Sequence, residues 1–331
     1  MLPALMPCSG MANRRAKRMA AKNKELILWL RNADSLTLIA HVSPDGDTIG
    51  STLALYHALN GSAQLVCEDT IPPKYAFLPG ASDFRTPDKA HHTKYVLAVD
   101  AADLGRLGTA VGIFEAAEYT AVIDHHGTNP GYAQLNRIEC DYGATGTIVH
   151  ELLSEGCWPL TEEIALCLYV AISTDTGNFS FSSTRCRDMQ AAAVMVELFD
   201  VADTTRRLFR CRRREYTLLL GAMLSDVRFY ADGRIACGFV TEEMLQKCGA
   251  EYSDTEGLID HLINMEGVEI ALLATQKNGA KFSVRTLEAD AAAIAKRFGG
   301  GGHTRAAGMT VQAAVYEAMD EVVAVACEAM K

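Results

Sequence analysis

The chain has 331 residues, of which 49% are hydrophobic, and a formal net charge of -10 at pH 7. This length and apolar content predict two packed domains. The acidic balance excludes a protein that coats long nucleic acid, because such binding requires many Lys and Arg side chains to neutralise phosphates. No run reaches the roughly twenty apolar residues that a transmembrane helix needs, so we expect no membrane partner.

Two features of the sequence predict a cytoplasmic protein. The ten cysteines are scattered without a C-x-x-C pair, which is typical of reduced thiols rather than of a disulfide framework. The amino-terminal segment carries its basic residues after its apolar part, the reverse of the order in a signal peptide. We therefore expect residues 1–22 to be a disordered extension, with Met11 and Met19 as alternative start positions.

Three short apolar runs, each typical of a buried strand, end in acidic residues or histidine. In chain order they are followed by His41, Asp45 and Asp47; by Asp100; and by Asp124, His125 and His126. The carboxyl ends of parallel strands line one crevice of an open sheet. These side chains are therefore predicted to meet in one place, as the ligands of a metal site.

Strand-like and helix-like segments alternate from residue 23 to about residue 202. This alternation favours an α/β fold with a mostly parallel sheet and helices on both faces. Helices are predicted at residues 50–59, 145–153 and 161–173, and Asp175 falls just past the last of them.

The rest of the chain is predicted to form a linker and a smaller domain. The arginine-rich segment 203–220 has a helical pattern and is predicted to be a linker helix. Residues 221–331 are predicted to form a smaller α+β domain with two hairpins, one around Asp232-Gly233 and one around Asn278-Gly279. Helices at residues 254–264 and 313–330 would cover its sheet.

The predicted ligands suggest a metal and a reaction. Carboxylate and imidazole without thiolate suit Mn²⁺ or Mg²⁺ better than structural zinc, and histidine favours Mn²⁺. Asp45 and Asp47 flank one glycine, so a tight turn can direct their carboxylates at two neighbouring ions. Two ions roughly 3.5–4 Å apart can activate water and stabilise the attacking and leaving oxygens at phosphorus. The pattern therefore predicts a phosphohydrolase, although each group alone is also typical of a turn, a packed histidine or a helix cap.

The full set of motifs resembles one family. The set consists of His41-x-x-x-Asp45-x-Asp47, Val99-Asp100, Asp124-His125-His126, Asp175-x-Gly177 and Gly299-Gly300-Gly301-Gly302-His303. It is similar to that of the DHH phosphoesterases with the type 1 DHH-associated domain, and the resemblance covers residues 25–328. The length looks most like the short two-domain branch, which combines nanoRNase activity with 3'-phosphoadenosine 5'-phosphate phosphatase activity. Thr48 departs from the pattern, which has a smaller residue at this position.

The resemblance implies roles for the predicted site residues. It implies a ligand set for two Mn²⁺ ions, with Mg²⁺ or Co²⁺ as substitutes: His41 and Asp45 for one ion, Asp47, His125 and Asp175 for the other, and Asp100 as a bridge. It further implies that Asp124 orients a ligand histidine. His126 would face the scissile phosphate, as a hydrogen-bond donor or as the proton source for the leaving group.

The second predicted domain contains candidate substrate contacts. On a strand from Lys281 to Arg285, side chains alternate, so Ser283 and Arg285 share one face. Arg285 can then bind a phosphate that is not cleaved, although a solvated surface arginine fits the same pattern. The run Gly300, Gly301, Gly302 before His303 is typical of a flexible linker or of an anion-binding loop. The resemblance assigns it to substrate binding.

These assignments imply an enzyme that acts on short substrates held by both domains. It would cleave RNAs of two to five nucleotides to mononucleotides and remove the 3'-phosphate of 3'-phosphoadenosine 5'-phosphate. A cyclic or linear dinucleotide phosphodiesterase is the first alternative. A pyrophosphatase or polyphosphatase is disfavoured by the glycine run, and an inactive nucleotide-binding regulator by the complete ligand set. The resemblance also implies a homodimer.

Overall fold

The computed structural model describes residues 23–330. They form two compact units, which divide between Arg210 and Cys211. The prediction for residues 1–22 lies outside the described residues. Within the described part of the chain, no helix combines the length and the apolar character needed to cross a membrane.

The N-terminal unit is built on a five-stranded parallel sheet with the strand order β2-β1-β3-β4-β5. Its strands are β1 (Leu36–Ala40), β2 (Gln64–Val66), β3 (Tyr95–Val99), β4 (Tyr119–Asp124) and β5 (Leu135–Ile138). All four pairings are parallel, so every carboxyl end lies at the same edge of the sheet. The predicted fold class is confirmed for this unit.

Helices cover both faces of this sheet, as predicted. The helices are α1 (residues 23–32), α2 (Gly46–Ala58), α3 (Val111–Glu115), α4 (Thr145–Glu155), α5 (Glu162–Asp175), α6 (Cys186–Met195) and α7 (Val201–Thr205). Helices α1, α2, α4 and α5 pack on the face that carries Leu38, Leu97 and Ile123. The opposite face packs against α3 and the 3₁₀ turns of Leu104–Ala110.

Small residues allow α2, α4 and α5 to approach one another closely. A Cβ atom at Gly50 of α2 would overlap the backbone oxygen of Cys167 in α5, and one at Gly46 would overlap the side chain of Thr174. At Gly146 of α4, a Cβ atom would lie 2.6 Å from the Cβ of Ala171. The ends of these helices can therefore reach the same edge of the sheet.

Two helix boundaries differ from the prediction at positions that matter for the site. Helix α2 begins at Gly46 rather than at residue 50, and Asp45 is its N-cap, accepting hydrogen bonds from the backbone N–H groups of Asp47 and Thr48. The predicted tight turn at Asp45-Gly46-Asp47 is therefore wrong, because this segment starts a helix. Helix α5 extends to Asp175, which is its last residue rather than the residue beyond its end.

The C-terminal unit contains a six-stranded mixed sheet with the order β10-β11-β9-β8-β7-β6. Its strands are β6 (Arg228–Tyr230), β7 (Ile235–Val240), β8 (Ile270–Gln276), β9 (Ala280–Thr286), β10 (Gly301–His303) and β11 (Ala306–Val311). Both predicted hairpins are present, as the antiparallel pairs β6/β7 and β8/β9. Only β7 and β8 pair in parallel.

The helices of the C-terminal unit are α8 (Arg214–Leu224), α9 (Glu242–Cys248), α10 (Asp260–Ile263), α11 (Ala291–Lys296) and α12 (Val315–Ala329). The predicted helix at residues 254–264 is reduced to a 3₁₀ turn and α10, because Gly257 between them adopts a left-handed φ of 84°. The predicted linker helix is also interrupted: α7 continues as a π-helical turn to Arg210, and α8 begins at Arg214. Asp203 pairs with Arg206 and Arg207 in the first part of this segment, whereas residues 211–213 between the two helices are not helical.

We expect Gly50→Ala to destabilise the N-terminal unit by about 1–3 kcal/mol, because the new methyl group overlaps a backbone atom of α5 that cannot rotate away. Urea unfolding followed by circular dichroism measures this loss. Gly112→Ala is the matched control, since a Cβ atom at this helical glycine meets nothing within 4 Å. It should leave stability unchanged or raise it by up to about 1 kcal/mol. Equal stability of the two variants would contradict the close packing of α2 on α5.

Candidate metal centre

Three strand ends and two helix ends bring the predicted ligands together. His41, Asp100 and His125 follow β1, β3 and β4, whereas Asp47 lies in the first turn of α2 and Asp175 ends α5. Three groups have ligand atoms that all lie within 4.8 Å of one another: His41, Asp45 and Asp100; Asp47, His125 and Asp175; and Asp100, His125 and His126. The first two groups correspond to the two predicted ion sites.

Asp100 lies between the two groups. Its Oδ2 is 3.6 Å from Nε2 of His41, and its Oδ1 is 3.7 Å from Nε2 of His125. Nε2 of His41 is also 3.6 Å from Oδ2 of Asp45, and Nε2 of His125 is 3.2 Å from Oδ2 of Asp175. The two oxygens of one buried carboxylate therefore face different ligand groups, which is the arrangement that a bridging ligand requires.

The backbone holds Asp100 in an uncommon conformation. Its φ is 60°, in the left-handed region that non-glycine residues seldom adopt. Its N–H donates to the carbonyl of Ile123 in the neighbouring strand β4, and its Oδ1 accepts a hydrogen bond from the hydroxyl of Thr145 at 2.7 Å. These contacts fix the direction of the carboxylate.

Asp47 is buried, and its carboxylate accepts three hydrogen bonds. The backbone N–H groups of Thr145 and Gly146 donate to it at 2.6 and 2.8 Å, and the hydroxyl of Ser51 donates at 3.1 Å. The two N–H groups are the first of α4, whose N-cap Ala144 has no side chain able to accept them. Asp47 thus caps α4 from another helix, and the positive end of α4 favours its negative charge.

Thr48, the residue that departs from the family pattern, joins two strand ends. Its hydroxyl donates to the carbonyl of Val99 at 2.9 Å and accepts a hydrogen bond from the N–H of His41 at 3.3 Å. A smaller residue without a hydroxyl could not make these bonds. Thr48 therefore helps to fix the ends of β1 and β3, which are followed by the candidate ligands His41 and Asp100.

Asp124 contacts His126 rather than one of the two histidines in the predicted ligand set. Its Oδ1 lies 2.8 Å from Nδ1 of His126, and its Oδ2 accepts a hydrogen bond from the side chain of Asn129 at 2.7 Å. Nδ1 of His125 instead lies 3.2 Å from the backbone oxygen of Tyr142. The expectation that Asp124 orients a ligand histidine is corrected accordingly: its partner is the histidine expected to face the phosphate.

The electrostatics of the cluster favour a bound cation. Burial, followed by repulsion from Asp100 and Asp175, raises the pKa of Asp47 well above its usual range. Burial also raises the pKa of Asp175 to about 6, although His125 opposes the rise. For His41, burial alone would lower the pKa, but contacts with Asp100 and Asp45 raise it to about 9. Asp47 thus favours a bound proton that a divalent cation would displace, and the oxygen and imidazole donors of the cluster fit such ions.

Asp124 and His126 shift one another's protonation. The hydrogen bond to Asp124 raises the pKa of His126. For Asp124, burial alone would raise the pKa, but hydrogen bonds from His126 and Asn129 bring it below its usual value. The pair therefore favours an ionised carboxylate next to a protonated imidazole.

Sequence reasoning missed four polar residues around the cluster: Ser51, Arg106, Asn129 and Thr145. Arg106 lies in the 3₁₀ segment after β3, with Nη2 2.8 Å from Nδ1 of His41 and 3.3 Å from its Nε2. Thr145 and Asn129 each contact one of the predicted aspartates. Thr145 and Asn129 have short polar side chains that belong to no recognisable motif. Asn129 does precede a proline shortly after the histidine pair, and the Asn-Pro dipeptide indicates a turn.

Candidate substrate residues share one face of the C-terminal sheet. Residues 280–286 alternate as predicted, with Phe282 and Val284 buried and with Ser283 and Arg285 partly exposed. Across the strands, Arg285 pairs with Ala306, and Ala306 pairs with His303, so His303 and Arg285 face the same side. In the next row, Gly301, Gly308 and Ser283 lie side by side on that face.

A pocket of approximately 320 Å³ opens on this face. Lys281, Ser283 and Arg285 of β9 line it, together with Thr275 of β8, Tyr252 and Glu256. The side chains of Lys281 and Lys277 lie over the ring of Tyr252. The pocket therefore combines two cations with one acid, hydroxyl groups and an aromatic ring.

The glycine run is neither a flexible linker nor an open loop. Gly299 is left-handed just after α11, the N–H of Gly300 donates to the carbonyl of Ala295, and the edge strand β10 begins at Gly301. Gly302 pairs with Ala307, in the same row as the core residue Val284. The N–H of Gly300 is thus already used, whereas Gly301 and His303 remain exposed on the candidate substrate face.

Comparison with known proteins relates both parts of the chain to one family. Residues 35–172 match the model of the DHH family, N-terminal domain, and residues 237–331 match that of the DHHA1 domain. A relative from Thermus thermophilus, the bifunctional oligoribonuclease and PAP phosphatase NrnA, is 33% identical over 280 residues, which cover 83% of each chain. The protein of the same name from Bacillus subtilis is 24% identical over 301 residues, which cover 87% of this chain and 92% of that one.

A solved structure shows the same fold. An exopolyphosphatase-related protein from Bacteroides fragilis superposes with a TM-score of 0.83 at 24% sequence identity, covering 93% of this chain and 95% of that chain. The resemblance inferred from the motifs is confirmed by the two matched domains and the Thermus relative. The chain belongs to the DHH family of phosphoesterases and carries a DHHA1 domain in its C-terminal part.

Proposed function

We propose that the protein is a metal-dependent phosphohydrolase that degrades RNAs of two to five nucleotides to mononucleotides and removes the 3'-phosphate of 3'-phosphoadenosine 5'-phosphate. The placement of Asp100 supports this function best, since its two oxygens face two groups of acid and histidine ligands. The names of the relatives from Thermus thermophilus and Bacillus subtilis support the substrate class.

In this proposal, two Mn²⁺ ions would occupy the cluster, with Mg²⁺ or Co²⁺ as substitutes. His41 and Asp45 would hold one ion, Asp47, His125 and Asp175 would hold the other, and Asp100 would serve both. When bound, such ions activate water and stabilise charge on the phosphate. Asp47 and Asp100 are held ready by Thr145 and Gly146, so the ligand set needs little rearrangement on binding.

The reaction requires a proton at the leaving oxygen. Water forms a new bond to phosphorus and releases one proton to solvent, the bond from phosphorus to the leaving oxygen breaks, and that oxygen takes up a proton. His126 is the proposed donor, because Asp124 holds its Nδ1 and its side chain is 43% exposed. Asp124 thereby also stabilises the protonated imidazole.

The C-terminal unit is proposed to bind the part of the substrate that is not cleaved. Arg285 and Ser283 would bind a non-scissile phosphate, with His303 and Gly301 on the same face of the sheet and Gly300 and Gly302 next to them in the chain. The pocket volume lies at the lower end of the range for small-molecule sites. Tyr252 contributes an aromatic ring to this pocket, with the side chains of Lys277 and Lys281 lying over it.

The proposal also includes the oligomeric state and the cellular location of the protein. We propose a homodimer that acts in the cytoplasm and has no membrane partner. The free thiols of the described cysteines, both exposed and buried, support a reducing compartment. Light scattering of the purified protein and cell fractionation test these points, and a monomer or a membrane-bound pool would contradict them.

The proposed function is tested by a panel of four substrates with Mn²⁺: a two-nucleotide RNA, 3'-phosphoadenosine 5'-phosphate, a cyclic dinucleotide and pyrophosphate. We expect hydrolysis of the first two by the wild type. Asp100→Ala should lose more than about 100-fold in rate, because even residues that merely support metal ligands are worth 10–100-fold. Turnover of the cyclic dinucleotide or pyrophosphate alone would support another family activity, and an active Asp100→Ala variant would refute the metal site.

We expect His126→Asn to lower kcat by about 10²–10⁴-fold, because general acid catalysis contributes about this much. Titration calorimetry should show Mn²⁺ binding within threefold of the wild type. The control is His57→Asn, which replaces a half-buried histidine that contacts the backbone oxygen of Pro79. A loss of one bound Mn²⁺ in His126→Asn would instead identify His126 as a ligand, through its group with Asp100 and His125.

Arg285→Met should raise KM for the two-nucleotide RNA by roughly 10–100-fold, the effect of losing one hydrogen bond to a charged group. Hydrolysis of bis(p-nitrophenyl) phosphate, which has no second phosphate, should stay unchanged. Arg234→Met removes a similarly exposed arginine, paired with Glu269, and serves as the control. An equal loss on both substrates would show that Arg285 does not recognise a second phosphate.

A further inference from the structure

Arg106 is a half-buried arginine beside an acidic cluster, yet the structure gives it no acidic partner. Within residues 23–330, no carboxylate oxygen forms an ion pair with its guanidinium, whose side-chain hydrogen-bond contacts are with the His41 ring alone. Other arginines of the N-terminal unit, such as Arg187 and Arg207, do pair with acids. The position of Arg106 therefore needs another explanation.

The contact with His41 cannot persist once His41 binds a metal ion. Nδ1 of His41 lies 2.8 Å from the backbone oxygen of Val42, to which it can donate its hydrogen. Nε2 then keeps its lone pair for the cation, next to Asp45 and Asp100. A guanidinium has donors only, so neither ring nitrogen can accept from Arg106 in this state.

A second observation is that the backbone around Arg106 is firmly held. Its carbonyl accepts a hydrogen bond from the N–H of Val42 at 2.8 Å, and its own N–H donates to the side chain of Asp103. The N–H of Thr109, at the other end of the same segment, donates to the Glu68 side chain. Arg106 is thus anchored directly beside a ligand, where a free cation and a bound metal ion repel each other unless an anion lies between them.

We propose that Arg106 binds a non-bridging oxygen of the scissile phosphate, on the His41 side of the metal centre. This inference rests on the proposed phosphohydrolase function and adds to it a residue that contacts the reacting group. The guanidinium neutralises charge on the phosphate while the bond to the leaving oxygen breaks. Arg106 itself gains and loses no proton.

The test compares full-length wild type with Arg106→Gln in three measurements. Inorganic phosphate should bind the Mn²⁺-loaded variant at least 10-fold more weakly by calorimetry, because a charge-assisted contact is lost. The kcat for the two-nucleotide RNA should fall by about 10²–10³-fold, as for other preorganised donors at a transition state. Mn²⁺ binding to the metal-free variant should match the wild type in stoichiometry and, within threefold, in affinity.

Two further variants sharpen the result. Activity of Arg106→Ala should recover in part on addition of guanidine at non-denaturing concentration. Arg31→Gln removes a guanidinium that binds the backbone oxygen of Gly156, away from the cluster, and should behave as the wild type.

Three outcomes would overturn the proposal. The first is that the wild type does not bind phosphate, and the second is that wild type and Arg106→Gln bind phosphate equally well. The third is a loss of Mn²⁺ binding in Arg106→Gln, because this loss would make Arg106 a positioning residue for His41. If the wild type binds phosphate but hydrolyses no substrate of the panel, the proposed function fails. The phosphate affinities still decide the role of Arg106.

Discussion

The hydrogen bonds from the first N–H groups of α4 to the Asp47 carboxylate connect the fold to the site. They place a buried charge where a helix terminus can stabilise it and satisfy donors that would otherwise lack partners. This contact requires α2 and α4 to meet at their N-termini, and both helices pack through glycine against α5. Helix α5 then delivers Asp175 to the same point. Close packing between helices is thus a condition for the convergence of the ligands.

The same convergence leaves the metal-free protein with an electrostatic conflict. Burial and repulsion from nearby carboxylates raise the pKa of Asp47 and of Asp175, so protons compete with metal ions for these two carboxylates. Metal binding relieves this conflict and is therefore coupled to protonation and to folding stability. In the C-terminal unit, the two cations Lys281 and Arg285 line a pocket beside one acid, Glu256. The candidate metal centre and this pocket therefore differ in local charge.

The strand ends and the clustering of most candidate ligands were predictable from the sequence, because a parallel sheet turns local patterns into one spatial cluster. His41, Asp100 and His125 each follow an apolar run, and such a run can be recognised without knowing the tertiary structure. The contacts of Thr145 and Arg106 were not predictable in this way. Each depends on another element approaching from a distant part of the chain. The start of α2 was missed because Gly46 resembles a turn residue, whereas its packing against Thr174 keeps the segment helical.

Asp100 adopts a left-handed backbone conformation, which lowers the stability of the fold at a candidate metal ligand. Such a conformation costs roughly 1 kcal/mol for a residue with a side chain and nothing for glycine. The buried carboxylate adds repulsion from its acidic neighbours. Asp100 is therefore held at a cost in stability, and strained residues of this kind are typical of functional sites.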